Sequence, residues 1–184
     1  LLGIHSLLIL LILRYLLVDQ QSIDPYIKIY INVLILLVFC FLCLNFPKAQ
    51  IFLGDSGAYL LGSQIAVLSI VIYNSSENVS PFFIAIILSY LFLEIFFSVF
   101  RKLFEKKNPF LPDGLHLHML IFQLIKKKHK NPNPITGFII NLFYLLSISP
   151  SLIYLDNHLF CMLHFVLIIL IYLATYFILK RRFI

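Results

Sequence analysis

Three groups of residues have types and spacings suited to chemistry. The first is Asp55, set in the small-residue turn Gly54-Asp55-Ser56-Gly57 at the start of an apolar stretch. A carboxylate there is a hard oxygen ligand for Mg²⁺, which commonly joins one or two carboxylates to substrate phosphates. The free N–H groups of a helix N-terminus would favour the same anion. Gly57 and Ala58 would let a pyrophosphate approach the backbone closely. The plainer alternative is helix capping, for which Asp and Ser are suited, with the glycines relieving crowding.

The second group is His116-x-His118, three residues after Asp113 in a stretch with Pro109 and Pro112. On a helix the two histidines would diverge by about 200°, whereas in an extended segment they project to one side. The prolines disfavour a continuous helix upstream. A His-x-His pair can bind a transition metal. Beside Asp113 and several lysines it could equally hold a nucleotide sugar by hydrogen bonds, or be two solvated histidines. The third is Glu94, inside an apolar stretch and seven residues before Arg101, hence on the same face two turns away. A carboxylate in such a place faces a polar interior, and a structural cation partner is the preferred reading.

The elements that carry these residues follow from composition. The 184 residues are 61% hydrophobic and 12% charged, against about a quarter charged in soluble domains. That excludes an ordinary soluble domain and a disordered chain. Six apolar segments are expected to span a membrane: residues 1–18, 27–44, 57–73, 82–100, 135–155 and 159–179. The fold class is therefore all-α, a polytopic transmembrane bundle of about six spans forming one domain over 1–184.

Charge sets its expected orientation. The net charge is +6. Alternating back from the C-terminal tail puts Lys48, Arg101, Lys102, Lys106, Lys107, Lys126, Lys127, Lys128, Lys130, Lys180, Arg181 and Arg182 on one side. These are twelve of the fourteen cations. The opposite connections carry Asp19, Asp24, Glu77 and Asp156. The positive-inside rule places the cationic side, both termini and both candidate loops in the cytoplasm. The basic balance thus reports topology, and a nucleic-acid partner is not expected. Residues 1–18 lack the basic region and cleavage site of a signal peptide. Cys40-x-x-Cys43 lies in an apolar span with no redox or zinc context. His5, His158 and His164 read as packing or span-end residues.

Together the two loops resemble a known family. The stretch Ile51-Phe52-Leu53-Gly54-Asp55-Ser56-Gly57-Ala58 is similar to the GDxGS-type signature of the polyprenyl-phosphate N-acetylhexosamine-1-phosphate transferases, membrane glycosyltransferase family 4. Glu94, the pair Arg101-Lys102, Asn108-Pro109-Phe110-Leu111-Pro112-Asp113 and His116-x-His118 resemble its acidic residue, basic pair, SPF-x-PD element and His loop. Ala58 stands where Ser is usual, Gly114-Leu115 where a basic pair is common, and Met119 where a third histidine is frequent. The resemblance implies a bundle of ten or eleven spans of which this chain is the C-terminal portion. The upstream Asp-Asp and Asn-x-x-x-Asp-Gly elements would lie elsewhere, so this portion lacks part of the active site.

The resemblance further implies transfer of a sugar-1-phosphate from a UDP-sugar to polyprenyl phosphate, releasing UMP, in initiating cell-envelope polysaccharide synthesis. It implies Asp55 as a catalytic Mg²⁺ ligand, with Mn²⁺ as the alternative ion, and Asp113 as a catalytic acidic residue. Gly54, Ser56, Gly57, His116 and His118 are implied to bind substrate. The enzyme would sit in the inner membrane with its active face cytoplasmic and would allow a homodimer. A transporter fragment, with Glu94, Arg14 and Lys28 along its path, and a non-catalytic scaffold are the competing readings.

Overall fold

The structure, a computed structural model, describes residues 1–18, 23–76, 78–111 and 113–183. Asp19, Glu77 and Pro112 lie outside the described residues. The described residues form seven α-helices in two compact units, Leu1–Val79 and Ser80–Ile184.

The first unit holds α1 (Leu2–Leu16), α2 (Pro25–Asn45) and α3 (Gly54–Ser75). Helix α1 packs against both others. Its buried residues Ile9, Leu10, Leu13 and Leu16 recur at helical spacing. A side chain at Gly3 would meet Phe41 and Leu42 at 3.0 Å, so α1 and α2 approach closely there. Polar pairs fasten the rest: Arg14 Nε donates to Asn32 Oδ1 at 2.8 Å, and the Tyr30 hydroxyl donates to Gln64 Oε1 at 2.6 Å. Asp24 caps α2 by accepting from the Tyr26 amide, with Pro25 in the first turn, where its missing N–H costs nothing. The outer surface of α2 is apolar, with Ile29, Val33, Leu36, Leu37 and Phe39 exposed.

The second unit holds α4 (Pro81–Phe104), α5 (Leu117–Lys126), α6 (Pro132–Ile153) and α7 (His158–Lys180). Helix α4 is its spine. It packs most extensively on α7, where Phe97 meets Tyr172 and Tyr176 edge-on. It is tied to α6 by the Tyr144 hydroxyl, which donates to the Ile87 carbonyl at 2.6 Å. Phe83, Ile86 and Ile87 are fully buried.

Among the described residues five helices, α2, α3, α4, α6 and α7, are long and apolar enough to cross a membrane. The chain is a multi-pass membrane helix bundle. One expected span differs. Helix α1 has fifteen residues, a rise of about 22 Å against a hydrocarbon core of about 30 Å. The structure also adds α5 in a region expected to be loop. Leu117, Leu120, Ile121 and Leu124 follow the apolar i, i+3, i+4, i+7 pattern, and Leu117 and Leu120 are buried.

Candidate functional site

The first site residues open α3. The preceding loop is folded back on α2: Asn45 Nδ2 donates to the Ile51 carbonyl at 2.6 Å. Gly54 then takes φ +69°, with open space where a Cβ would stand. Its glycine is therefore set by backbone conformation, not by crowding. At Gly57 the reverse holds, since a Cβ there would lie 2.9 Å from Leu53 Cγ. Gly54→Ala is expected to destabilise the start of α3 by about 1 kcal/mol, the cost of an L side chain in the left-handed region. Hydrogen exchange at the amides of residues 54–58 measures it.

Asp55 and Ser56 are both exposed in the first turn. The N-cap position is Leu53, and no side chain caps this helix. Capping therefore does not use the Asp55 carboxylate. It sits beside the positive end of the helix dipole, facing outward.

The second group is built by the last turns of α4. Glu94, Ser98 and Arg101 follow at spacings of four and three and so share one face. Arg101 is buried, and its Nη2 lies 2.6 Å from Asp113 Oδ2 and 3.4 Å from Ser98 Oγ. Lys102, also buried, donates to the carbonyls of Pro109 at 3.2 Å and Leu111 at 2.6 Å. Asn108 and Asp113 each accept the amide two residues on, from Phe110 and Leu115. These turns shape residues 106–111 and 113–115 on the way into α5. At Asp113, partial burial favours the neutral acid. The hydrogen bonds from Arg101 and the Leu115 amide outweigh it and hold the carboxyl below its ordinary range. Glu105 joins the same lattice: hydrogen bonds from Lys107 and Lys180, at 2.8 and 2.9 Å, hold its pKa down to about 2.

That lead-in delivers both histidines to Glu94. His116 Nδ1 lies 3.2 Å and His118 Nδ1 3.3 Å from the same oxygen, Glu94 Oε2. The other oxygen, Oε1, accepts from the Tyr90 hydroxyl at 3.1 Å and the His118 amide at 3.2 Å. The two rings stack with centroids 5.4 Å apart. They share a side as expected, although only His116 is extended, and His118 is in the first turn of α5. Helix α5 has no cap from its own N-cap residue, and Glu94 of α4 satisfies one of its free amides instead. Glu94 is thus buried against two histidines, while Arg101 takes Asp113.

The expected site residues therefore fall in two groups. Gly54, Asp55, Ser56 and Gly57 lie in the first unit, and Asp113, His116 and His118 in the second, joined there by Glu94. Sequence spacing alone did not link Glu94 to the histidines, which are 22 and 24 residues away. Its charge within an apolar run was the available signal.

Residues 1–73 match the family model of glycosyl transferase family 4. Asp55 falls inside that match, and Glu94, Asp113, His116 and His118 lie beyond it. The chain is 40% identical over 87 residues to an undecaprenyl-phosphate alpha-N-acetylglucosaminyl 1-phosphate transferase of Thermotoga maritima, covering 47% of this chain and 28% of the relative. It is 34% identical over 109 residues to a phospho-N-acetylmuramoyl-pentapeptide-transferase of Dictyoglomus turgidum, covering 59% of this chain and 34% of the relative. A decaprenyl-phosphate N-acetylglucosaminephosphotransferase of Mycobacterium leprae is 30% identical over 96 residues, with 46% and 24% covered. The chain thus spans about a quarter to a third of the curated relatives it matches. No solved structure matches it.

Proposed function

We propose that the chain, whose residues 1–73 match the glycosyl transferase family 4 model, belongs to that family and serves the transfer of an N-acetylhexosamine 1-phosphate from a UDP-sugar to a polyprenyl phosphate. A phosphate oxygen of the lipid attacks the β-phosphorus of the UDP-sugar. The bond from that phosphorus to the bridging oxygen breaks, and UMP leaves with the electron pair. The product is a polyprenyl-diphospho-sugar, the starter of an envelope polysaccharide. In such transfers the protein mainly positions reactants and stabilises charge.

One observation carries the reading: within the family match, Asp55 stands exposed at the N-terminus of α3, unused as a cap. A single outward carboxylate fits Mg²⁺, which keeps several waters and takes the rest of its ligands from substrate phosphates. When bound there, Mg²⁺ would neutralise the pyrophosphate and the departing UMP. Gly54, Ser56 and Gly57 let that phosphate approach the helix start. His116 and His118 would hydrogen-bond the nucleotide sugar, oriented by Glu94. Asp113 then works through Arg101, by fixing the loop. An apolar groove lined by Tyr30, Val33, Val67, Leu68 and Val71 suits an isoprenoid tail. The skew of lysine and arginine supports a cytoplasmic position for these loops, at an inner membrane.

The test is direct. Membranes carrying the protein at full length, with the upstream acidic elements that the resemblance implies, are given radiolabelled UDP-N-acetylhexosamine, undecaprenyl phosphate and Mg²⁺. Label is expected in the lipid extract with equal UMP in the aqueous phase. Absence of both, in membranes where a control transferase works, overturns the proposal in favour of a scaffold or transporter part.

A further inference from the structure

The cluster on α4 and α5 has a second chemical capacity that the transfer reaction does not require. The donor atoms of Glu94, His116 and His118 all lie within 4.8 Å of one another. Two edges of that triangle, from Glu94 Oε2 to the two Nδ1 atoms, are 3.2 and 3.3 Å. These are longer than the about 2.7–2.9 Å of a charge-assisted N–H···O⁻ bond. They match the ligand–ligand edge of a tetrahedral site with bonds of about 2.0–2.1 Å, which is about 3.3 Å. The third edge closes by a small turn of two partly exposed rings, which have side-chain exposures of 29% and 35%.

The surroundings suit an ion as well. Glu94 is buried, so its charge needs a partner. Its two oxygens are divided in function: Oε1 is held by the Tyr90 hydroxyl and the His118 amide, and Oε2 faces only the two imidazoles among the described contacts. A ligating carboxylate fixed through its second oxygen is the usual outer arrangement of protein metal sites. Two imidazoles and one carboxylate favour Zn²⁺ and its neighbours over Mg²⁺, which prefers oxygen alone. The geometry points to a three-ligand transition-metal site of the Zn²⁺ class at Glu94, His116 and His118, separate from Asp55. Exposure of both rings leaves its fourth position open to water or an anionic oxygen. The site stands whether or not the chain transfers a sugar.

Co²⁺ is the probe, since its visible bands intensify in four-coordinate sites. The full chain, purified in detergent and stripped with chelator, is expected to bind one Co²⁺ with such bands and without thiolate-to-cobalt absorption. Zn²⁺ should displace it, and a ~100-fold excess of Mg²⁺ should not. Glu94→Gln and His118→Gln should each weaken binding at least ~10-fold, while Asp55→Asn leaves it unchanged. A second readout needs no variant: Zn²⁺ should protect His116 and His118 of the wild-type chain from carbethoxylation, read by mass spectrometry. The proposal is overturned if the wild-type chain gives no saturable signal and no protection. It is equally overturned if the Glu94 and His118 variants bind within twofold of wild type, or if Asp55→Asn abolishes the signal. Loss of transfer with Co²⁺ binding intact speaks against the transferase reading alone.

Discussion

In the full-length protein, if it carries the proposed activity, Asp55→Asn is expected to lower sugar-1-phosphate transfer by about 10²–10³-fold, the usual loss when one charge-stabilising group is removed from a reacting centre. The substitution keeps the side chain's shape and removes its charge. Because no side chain caps α3, the helix loses only a favourable dipole contact of about 0.3–1 kcal/mol. Helical content and detergent-extracted size should therefore stay as in wild type. The measurement is the initial rate of lipid-linked label and UMP formation in membranes at saturating Mg²⁺. Asp55→Glu, which keeps the charge but moves it outward, should retain part of the rate and shift the Mg²⁺ dependence. A near-wild-type rate for the Asn variant would sink the metal-ligand role of Asp55.

The second large effect concerns the loop. Arg101→Ala removes a buried guanidinium from between Asp113, Ser98 and Glu105. Breaking a fully buried pair costs about 3–5 kcal/mol, and the partial exposure of Asp113 reduces that to about 1–3 kcal/mol here. The cost falls on residues 106–115 and on the delivery of His116 and His118 to Glu94. Amide protection should drop across 106–118 while the spans keep theirs, and transfer should fall with it. Arg101→Lys should rescue little, because an ammonium lacks the fork that reaches several acceptors at once. Asp113→Asn separates two roles. Lost transfer together with lost loop protection marks a positioning residue, whereas lost transfer with an intact loop marks a carboxylate that meets substrate. Unchanged protection in Arg101→Ala would refute the anchoring role.

The long elements were legible because lipid demands a simple pattern. Runs near twenty apolar residues become α2, α3, α4, α6 and α7, and their starts shift both where caps act, at α4 and α7, and at α3 and α6, which have no side-chain cap. Ser80 and Pro81 start α4 one residue before the expected 82, and Asn157 starts α7 at 158. Helix α5 was hidden by its setting. Its apolar face spans ten residues between prolines and a lysine run, so the charge pattern outweighed the periodicity. The candidate site was legible as residue types and not as contacts. Asp55 and the histidines stand out in the sequence as chemistry-bearing types, with capping the plainer role for Asp55, whereas α3 begins without a side-chain cap. Glu94 was read as the partner of a cation on its own helix. The turn formed by Asn108 and Asp113 instead brings the histidines to it, a long-range pairing that no helical spacing encodes.

One carboxylate serving two rings and a helix amide has a consequence for how this region tolerates change. Once Glu94 is gone, removing either histidine has little left to break. The penalties of double and triple replacements should then fall well short of the sum of the single ones.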